Sequence, residues 1–241
     1  MTKIIAHRGA SGYAPENTME AFKLAIGLGA EGIETDVHLT CDGQVVIIHD
    51  EKIDRTSNGL GYVKDCTYEQ LAAFNYNNHM EQYEFCKLPL LSDLLELVKS
   101  SGILLNIELK TDFYSYPGIE EKVVALVKTY GVERQIIYSS FNHYTLMKVK
   151  AIDPNARIGL LYAEGIVQPW DYATHIQADA LHPFYANLQI PNYIQEAHQQ
   201  GIIVNTWTVN KREDMKRFIE MQVDGLITNY PDLALAIKNG D

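Results

Sequence analysis

The chain has 241 residues, 46% of them hydrophobic, a formal net charge of −11 and three cysteines. That is enough apolar material for one large domain or two small ones, and the acidic balance excludes a general nucleic-acid binder, whose phosphate partner needs a basic surface. Cys41, Cys66 and Cys86 are odd in number and have no CxxC spacing, which excludes a disulfide framework and suits a reducing compartment.

Short apolar runs alternate with helical patterns along the whole chain. Residues 3–7 read as a first strand. Residues 17–28 read as a helix, with Met19, Phe22, Ala25 and Ile26 on one face. Strands follow at 32–37 and 45–49. The stretch 51–90 is polar and aromatic and does not read as a further strand–helix unit. Ser92 is placed to cap a helix over 94–99, and a strand follows at 103–108. Next come a helix at 119–130, a strand at 135–139, a helix at 142–152 and strands at 157–161 and 178–182. A helix at 191–200, a strand at 202–207, a helix at 211–220, a strand at 225–228 and a helix at 231–238 complete the series. Most of the strands are continuously apolar, the pattern of a parallel sheet covered on both faces. A unit of roughly 30 residues repeated about eight times is the arithmetic of a (β/α)8 barrel. The expectation is one domain over 1–241 with an insertion at 51–90 after the second barrel strand. An open doubly wound sheet shares the alternation, but no GxGxxG follows the first strand. No run approaches ~18 apolar residues and no charged leader precedes one, so a cytoplasmic protein without membrane insertion is expected.

Chemistry collects at the ends of these strands. Glu34 and Asp36, two residues apart on one strand, share a face at about 7 Å. Two buried carboxylates so placed ask for a hard cation with oxygen ligands. Glu108 and Lys110 repeat the geometry, so that Glu108 completes a three-carboxylate site and Lys110 reaches a phosphate oxygen. His7 and His49 each close an apolar strand and suit proton exchange near neutral pH. Arg8 carries the planar fork that fits phosphate oxygens, with Glu34 or Glu16 as its ion-pair partner. Trp207 ends a strand and offers an apolar wall. His182 also ends a strand and is given no chemical role. The run from Asp54 to Gly59 reads as a polar turn. Together these groups suit metal-assisted cleavage of a phosphate ester.

In order and spacing the clusters resemble the glycerophosphodiester phosphodiesterase family. The resemblance is carried by His7-Arg8-Gly9, Ala14-Pro15-Glu16-Asn17-Thr18, Glu34-Thr35-Asp36, Asp42-Gly43, His49-Asp50 and Asp54-Arg55-Thr56. Further on it is carried by Asn106-Ile107-Glu108-Leu109-Lys110, Ser139-Ser140-Phe141, Trp207-Thr208-Val209-Asn210 and Thr228-Asn229-Tyr230-Pro231-Asp232. Asn229 stands where an acidic residue is common. The resemblance implies a TIM barrel with a small insertion after its second strand. It implies one divalent metal, Mg²⁺ or Ca²⁺, on Glu34, Asp36 and Glu108. It implies His7 and His49 as general acid and base, and Arg8 and Lys110 as phosphate contacts. The implied reaction is hydrolysis of glycerophosphodiesters, such as glycerophosphocholine, to sn-glycerol 3-phosphate and an alcohol.

Phe141 and Trp207 are expected to line the substrate pocket, in a monomer or homodimer whose partner is a small molecule. A lipid-headgroup enzyme of the same fold would need an apolar mouth, for which the insertion offers Tyr76, Tyr83 and Phe85. A non-catalytic barrel that binds a phosphorylated metabolite would not need both histidines and all three carboxylates.

Overall fold

The computed structural model describes residues 1–240. In chain order the elements are β1 (Lys3–His7), α1 (Met19–Gly27), β2 (Gly32–Leu39), β3 (Val45–Ile47), α2 (Tyr68–Ala72), α3 (Leu91–Ser101), β4 (Leu104–Leu109), α4 (Ile119–Tyr130), β5 (Ile136–Ser140), α5 (His143–Ile152), β6 (Ile158–Tyr162), α6 (Pro169–His175), β7 (Ala180–Pro183), α7 (Tyr193–Gln199), β8 (Ile203–Thr206), α8 (Arg212–Glu220), β9 (Gly225–Thr228) and α9 (Pro231–Asn239). Eight strands are parallel and hydrogen-bonded in the order β1-β9-β8-β7-β6-β5-β4-β2, and β1 pairs with β2 to close the ring. Helices connect most of the successive strands. This is the expected TIM barrel, and the β1–β2 pairing that closes the ring excludes the open doubly wound sheet.

The strands are continuous apolar runs because both of their faces are covered. All eight residues of β2 and all five of β6 are buried. Residues such as Ile4, Ala6, Ile33, Leu105 and Ile107 face outward onto the helices, where Phe22, Leu94, Val123 and Val127 meet them in one core. A fully buried side chain such as Phe22 contributes about 1.5–3 kcal/mol relative to exposure.

The apolar run at 45–49 is not a barrel strand. β3 pairs antiparallel with the end of β2, Val37 opposite Ile47 and Leu39 opposite Val45. The turn between them, with Gly43 at φ +77°, is too short to hold the crossover that a parallel neighbour needs. From there residues 51–90 run outside the barrel sheet. They hold α2 and a second apolar cluster of Ile53, Val63, Leu71, Tyr76 and Leu88, packed with Val46 and Ile48 of the β3 region. Tyr76 is buried in that cluster, so it offers nothing to an apolar mouth; Phe85 is exposed.

Besides α2 within 51–90, two helices depart from the sequence expectation. α3 begins at Leu91, which leaves Ser92 inside its first turn. The Asp93 carboxylate caps it instead, accepting from the Leu90 N–H at 3.1 Å. α6 was not expected, because its seven residues, Pro-Trp-Asp-Tyr-Ala-Thr-His, are too few to show a helical period.

Candidate active site

Parallel register places the strand-end groups side by side. His7 is opposite Glu34 across β1–β2, and Asp36 is opposite Glu108 across β2–β4. All point into the barrel at its C-terminal end, where this fold carries its loops. One recess there, with about 420 Å³ of atom-free space, is lined by His7, Arg8, Glu34, His49, Glu108, Phe141 and Trp207 among others. Lys110 joins them through its Nζ, 2.8 Å from Glu108 Oε1 and 3.5 Å from His49 Nε2. Asp36 stands behind Arg8, whose Nε lies 3.4 Å from its Oδ2. All nine site residues expected from the sequence therefore meet at one end of the barrel.

The turn after β1 shapes the first cluster. Arg8 and Gly9 both take left-handed backbone, at φ +56° and +78°. A Cβ on Gly9 would come within 2.6 Å of the Ala21 backbone in α1, so only glycine fits. The turn aims the Arg8 N–H at Glu34, whose carbonyl and Oε2 both lie 3.0 Å away. The Arg8 side chain extends to Glu16, with Nη1 2.8 Å from Oε1. Its carboxylate contacts are thus Glu16 and Asp36, while Glu34 is reached by the backbone.

Ligand atoms of Glu34, Asp36 and Glu108 all lie within 4.8 Å of one another, and the three residues are buried. Burial, and then the charges of Asp36 and Glu108, push the Glu34 carboxyl well above its ordinary range. Burial and Asp36 raise Glu108 as well, against the pull of Lys110. Burial also opposes ionisation of Asp36, but Arg8, His49, Lys110 and a hydrogen bond from Asn17 hold it low. Asp36 Oδ1 is buried without a hydrogen-bond partner, as is Asn106 Oδ1 in the same recess. Arg8 divides its charge between Asp36 and Glu16, so the cluster stays short of positive charge. An orphaned carboxylate oxygen amid crowded oxygen donors fits a hard divalent cation.

The histidines have different partners. His7 Nδ1 lies 2.7 Å from Asn229 Oδ1, so Nδ1 carries the proton and Nε2 faces the recess. Burial and the adjacent Arg8 lower its pKa to about 3. His49 donates from Nδ1 to Asp50 Oδ1 at 2.6 Å. His38, on β2, supports this loop by donating from Nε2 to the His49 carbonyl at 3.1 Å, while the Tyr116 hydroxyl meets its Nδ1 at 2.9 Å. On the apolar side Phe141 and Trp207 pack edge to face, centroids 5.5 Å apart. Trp207 follows the seventh barrel strand and is fixed by its indole N–H, 2.8 Å from the His182 carbonyl.

Several supporting residues had no assigned part in the site. Asn17 donates from Nδ2 to Asp36 Oδ2 and accepts from the Thr35 hydroxyl, both at 2.8 Å. Arg55, read as part of a polar turn, bridges Asp50 and Glu16. Their signal was position: Asn17 stands next to Glu16 before a helix, and Arg55 is a lone cation in a polar turn.

Comparisons with known proteins bear on the family and the fold. The family model for the glycerophosphoryl diester phosphodiesterase family matches residues 7–233. A glycerophosphodiester phosphodiesterase of Caldanaerobacter subterraneus subsp. tengcongensis is 47% identical over 232 residues, which cover 96% of this chain and 95% of that one. The phosphodiesterase of Oleispira antarctica, solved with the product sn-glycerol-3-phosphate, superposes with a TM-score of 0.89 at 26% identity, covering 100% of this chain and 98% of that one. The glycerophosphodiester phosphodiesterase of Agrobacterium tumefaciens superposes with a TM-score of 0.86 at 29% identity, covering 98% and 100%. Because the family match takes in every residue of the recess, this chain belongs to the glycerophosphoryl diester phosphodiesterase family of enzymes.

Proposed function

We propose that the enzyme hydrolyses small glycerophosphodiesters, among them glycerophosphocholine and glycerophosphoethanolamine, to sn-glycerol 3-phosphate and an alcohol. The observation that carries this reading is the meeting of two histidines, two cations and three carboxylates in one recess with an apolar wall. Glu34, Asp36 and Glu108 would hold one divalent metal, Mg²⁺ or Ca²⁺. Bound there, the metal supplies Lewis acidity at a phosphate oxygen and a mooring for glycerol hydroxyls.

The remaining work falls to side chains. Arg8 and Lys110 face the phosphate with fixed positive charge and offset the negative charge that grows at phosphorus. One histidine takes the proton of the attacking oxygen, and the other gives a proton to the departing alcohol. His7 is suited to this exchange because Asn229 holds its Nδ1 proton and leaves Nε2 free. Asp50 does the same for His49 and stabilises its imidazolium when that ring holds a second proton. Phe141 and Trp207 cover the apolar edge of the substrate and exclude water from that side. All three cysteines are free thiols, and no described helix is long and apolar enough to cross a membrane. The free thiols support a reducing, cytoplasmic setting for this reaction.

The test is metal-stripped protein incubated with each of the two diesters, with and without added Mg²⁺ or Ca²⁺, assayed for glycerol 3-phosphate. Release that depends on metal and disappears in His7→Ala and His49→Ala supports the reading. No release under any metal, or near-normal turnover in either variant, rejects it.

A further inference from the structure

Arg55 belongs to the 51–90 segment, which supplies no barrel strand. It nevertheless ends against the two carboxylates that stand behind the site. Its Nε and Nη2 lie 2.7 and 3.1 Å from the Asp50 oxygens, and its Nη1 and Nη2 each lie 2.8 Å from a Glu16 oxygen. Asp50 is at the same time the partner of His49, and Glu16 the partner of Arg8. A chain of charge therefore runs His49–Asp50–Arg55–Glu16–Arg8. Its middle member spans both carboxylates with one planar fork, a geometry that an ammonium cannot copy.

The chain is balanced before His49 takes a second proton: Arg8 and Arg55 stand against Asp50 and Glu16. Asp50 divides its negative charge between Arg55 and His49, and Glu16 divides its own between Arg55 and Arg8. Burial opposes ionisation of both carboxyls, yet the hydrogen bonds from their cationic neighbours keep each below its usual range. Around His49 the other charged groups are Lys110 just past β4, 3.5 Å from Nε2, with Asp36 and Glu108 further off.

We propose that Arg55 is a positioning residue for the phosphodiester reaction, holding Asp50 and Glu16 so that His49 keeps Nε2 toward the reacting atoms and Arg8 keeps its fork toward the phosphate. Arg55 itself acts through these two carboxylates. The proposal rests on the roles given above to His49 and Arg8. A side chain that merely clipped the 51–90 segment to the barrel would support stability and leave the pH dependence of turnover alone.

The experiment measures kcat and KM for glycerophosphocholine across pH, at saturating Mg²⁺, in the wild type, His49→Ala, Arg55→Met and Arg55→Lys. The first pair tests the underlying reading separately: an inactive wild type, or an active His49→Ala, fails that reading before Arg55 is considered. In Arg55→Met, kcat is expected to fall about tenfold to a hundredfold, the scale of a misplaced catalytic group. The limb of the pH profile that the His49–Asp50 pair controls moves to higher pH by about half to one unit, because Asp50 has lost its second cation. Arg55→Lys restores a charge and draws the limb back, but kcat stays about fivefold or more below wild type because one ammonium cannot reproduce the four contacts of the planar fork. If Arg55→Met keeps kcat and KM within about twofold of wild type with the limb unmoved, the proposal is overturned, even with a lowered melting temperature. If Arg55→Met does not fold by circular dichroism, Arg55→Lys decides: wild-type kcat, KM and pH profile in that variant overturn the proposal.

Discussion

Asn17 holds Asp36 from behind: its amide nitrogen donates to Asp36 Oδ2 at 2.8 Å, while its own oxygen accepts from the Thr35 hydroxyl. The amide is thereby locked in one orientation, and Asp36 keeps Oδ1 buried and without a hydrogen-bond partner. Asn17→Ala frees the carboxylate to rotate. Metal affinity is expected to fall about tenfold to a hundredfold, the usual effect of removing a group that orients a ligand. Calorimetric titration with Mg²⁺ or Ca²⁺ checks this, and unchanged affinity contradicts it.

Glu34→Gln tests the crowding of charge. Burial and two neighbouring carboxylates destabilise ionised Glu34, so a neutral amide of the same shape relieves repulsion. The metal-free variant should be more stable than wild type by about 1–2 kcal/mol. Added Mg²⁺ should stabilise wild type and leave the variant unmoved. Thermal melts with and without metal read both effects; an unstabilised metal-free variant removes the argument.

His182 sets an acid sensitivity away from the chemistry. It is fully buried, accepts from Asn205 Nδ2 at 2.9 Å, and burial lowers its pKa to about 3 from 6.5. The folded pKa lies below the unfolded one, so the unfolded chain binds this proton first. The stability tied to neutral His182 is therefore present above about pH 6.5 and is lost as pH falls toward 3. The slope from this one group is about 1.4 kcal/mol per pH unit at most. His182→Asn should flatten the fall of stability between those limits in urea unfolding, and an unchanged slope would count against burial as the cause.

Phe141 is partly exposed at the rim and packs on Trp207. Phe141→Ala should raise KM several-fold, worth about 1 kcal/mol of lost aromatic contact, with little change in melting temperature. Trp207→Ala removes the same wall and also the hydrogen bond to the His182 carbonyl, so it should raise KM and lower stability together. Steady-state kinetics paired with melts separate the two; a normal KM in both variants would move the substrate to another wall.

The barrel was legible because a strand covered on both faces is mostly apolar, and the three-carboxylate cluster because acidic residues alternating on such a strand share one face. The strand read at 45–49 forms over Val45–Ile47, as the arm of a hairpin outside the barrel. Val45-Val46-Ile47-Ile48 is as apolar as any barrel strand, and only the short turn before it distinguishes a hairpin from a crossover. α6 was hidden by its brevity. Arg55 was hidden for a different reason: its partners Asp50 and Glu16 come from different loops, and a pairing across 39 residues leaves no periodic trace in the sequence. The same is true of Asn229 and His7.

That last pair ties the two ends of the fold to one event. His7 stands on the first strand, its orienting amide follows the last, and β1 is the strand at which the ring closes on both β9 and β2. The carboxylates of β2 and β4 stand on neighbouring strands, whereas His7 is oriented by a residue that follows β9. The bearing of the His7 ring therefore depends on closure of the barrel: parting β1 from β9 would leave the β2 and β4 carboxylates side by side but take away the amide that orients His7.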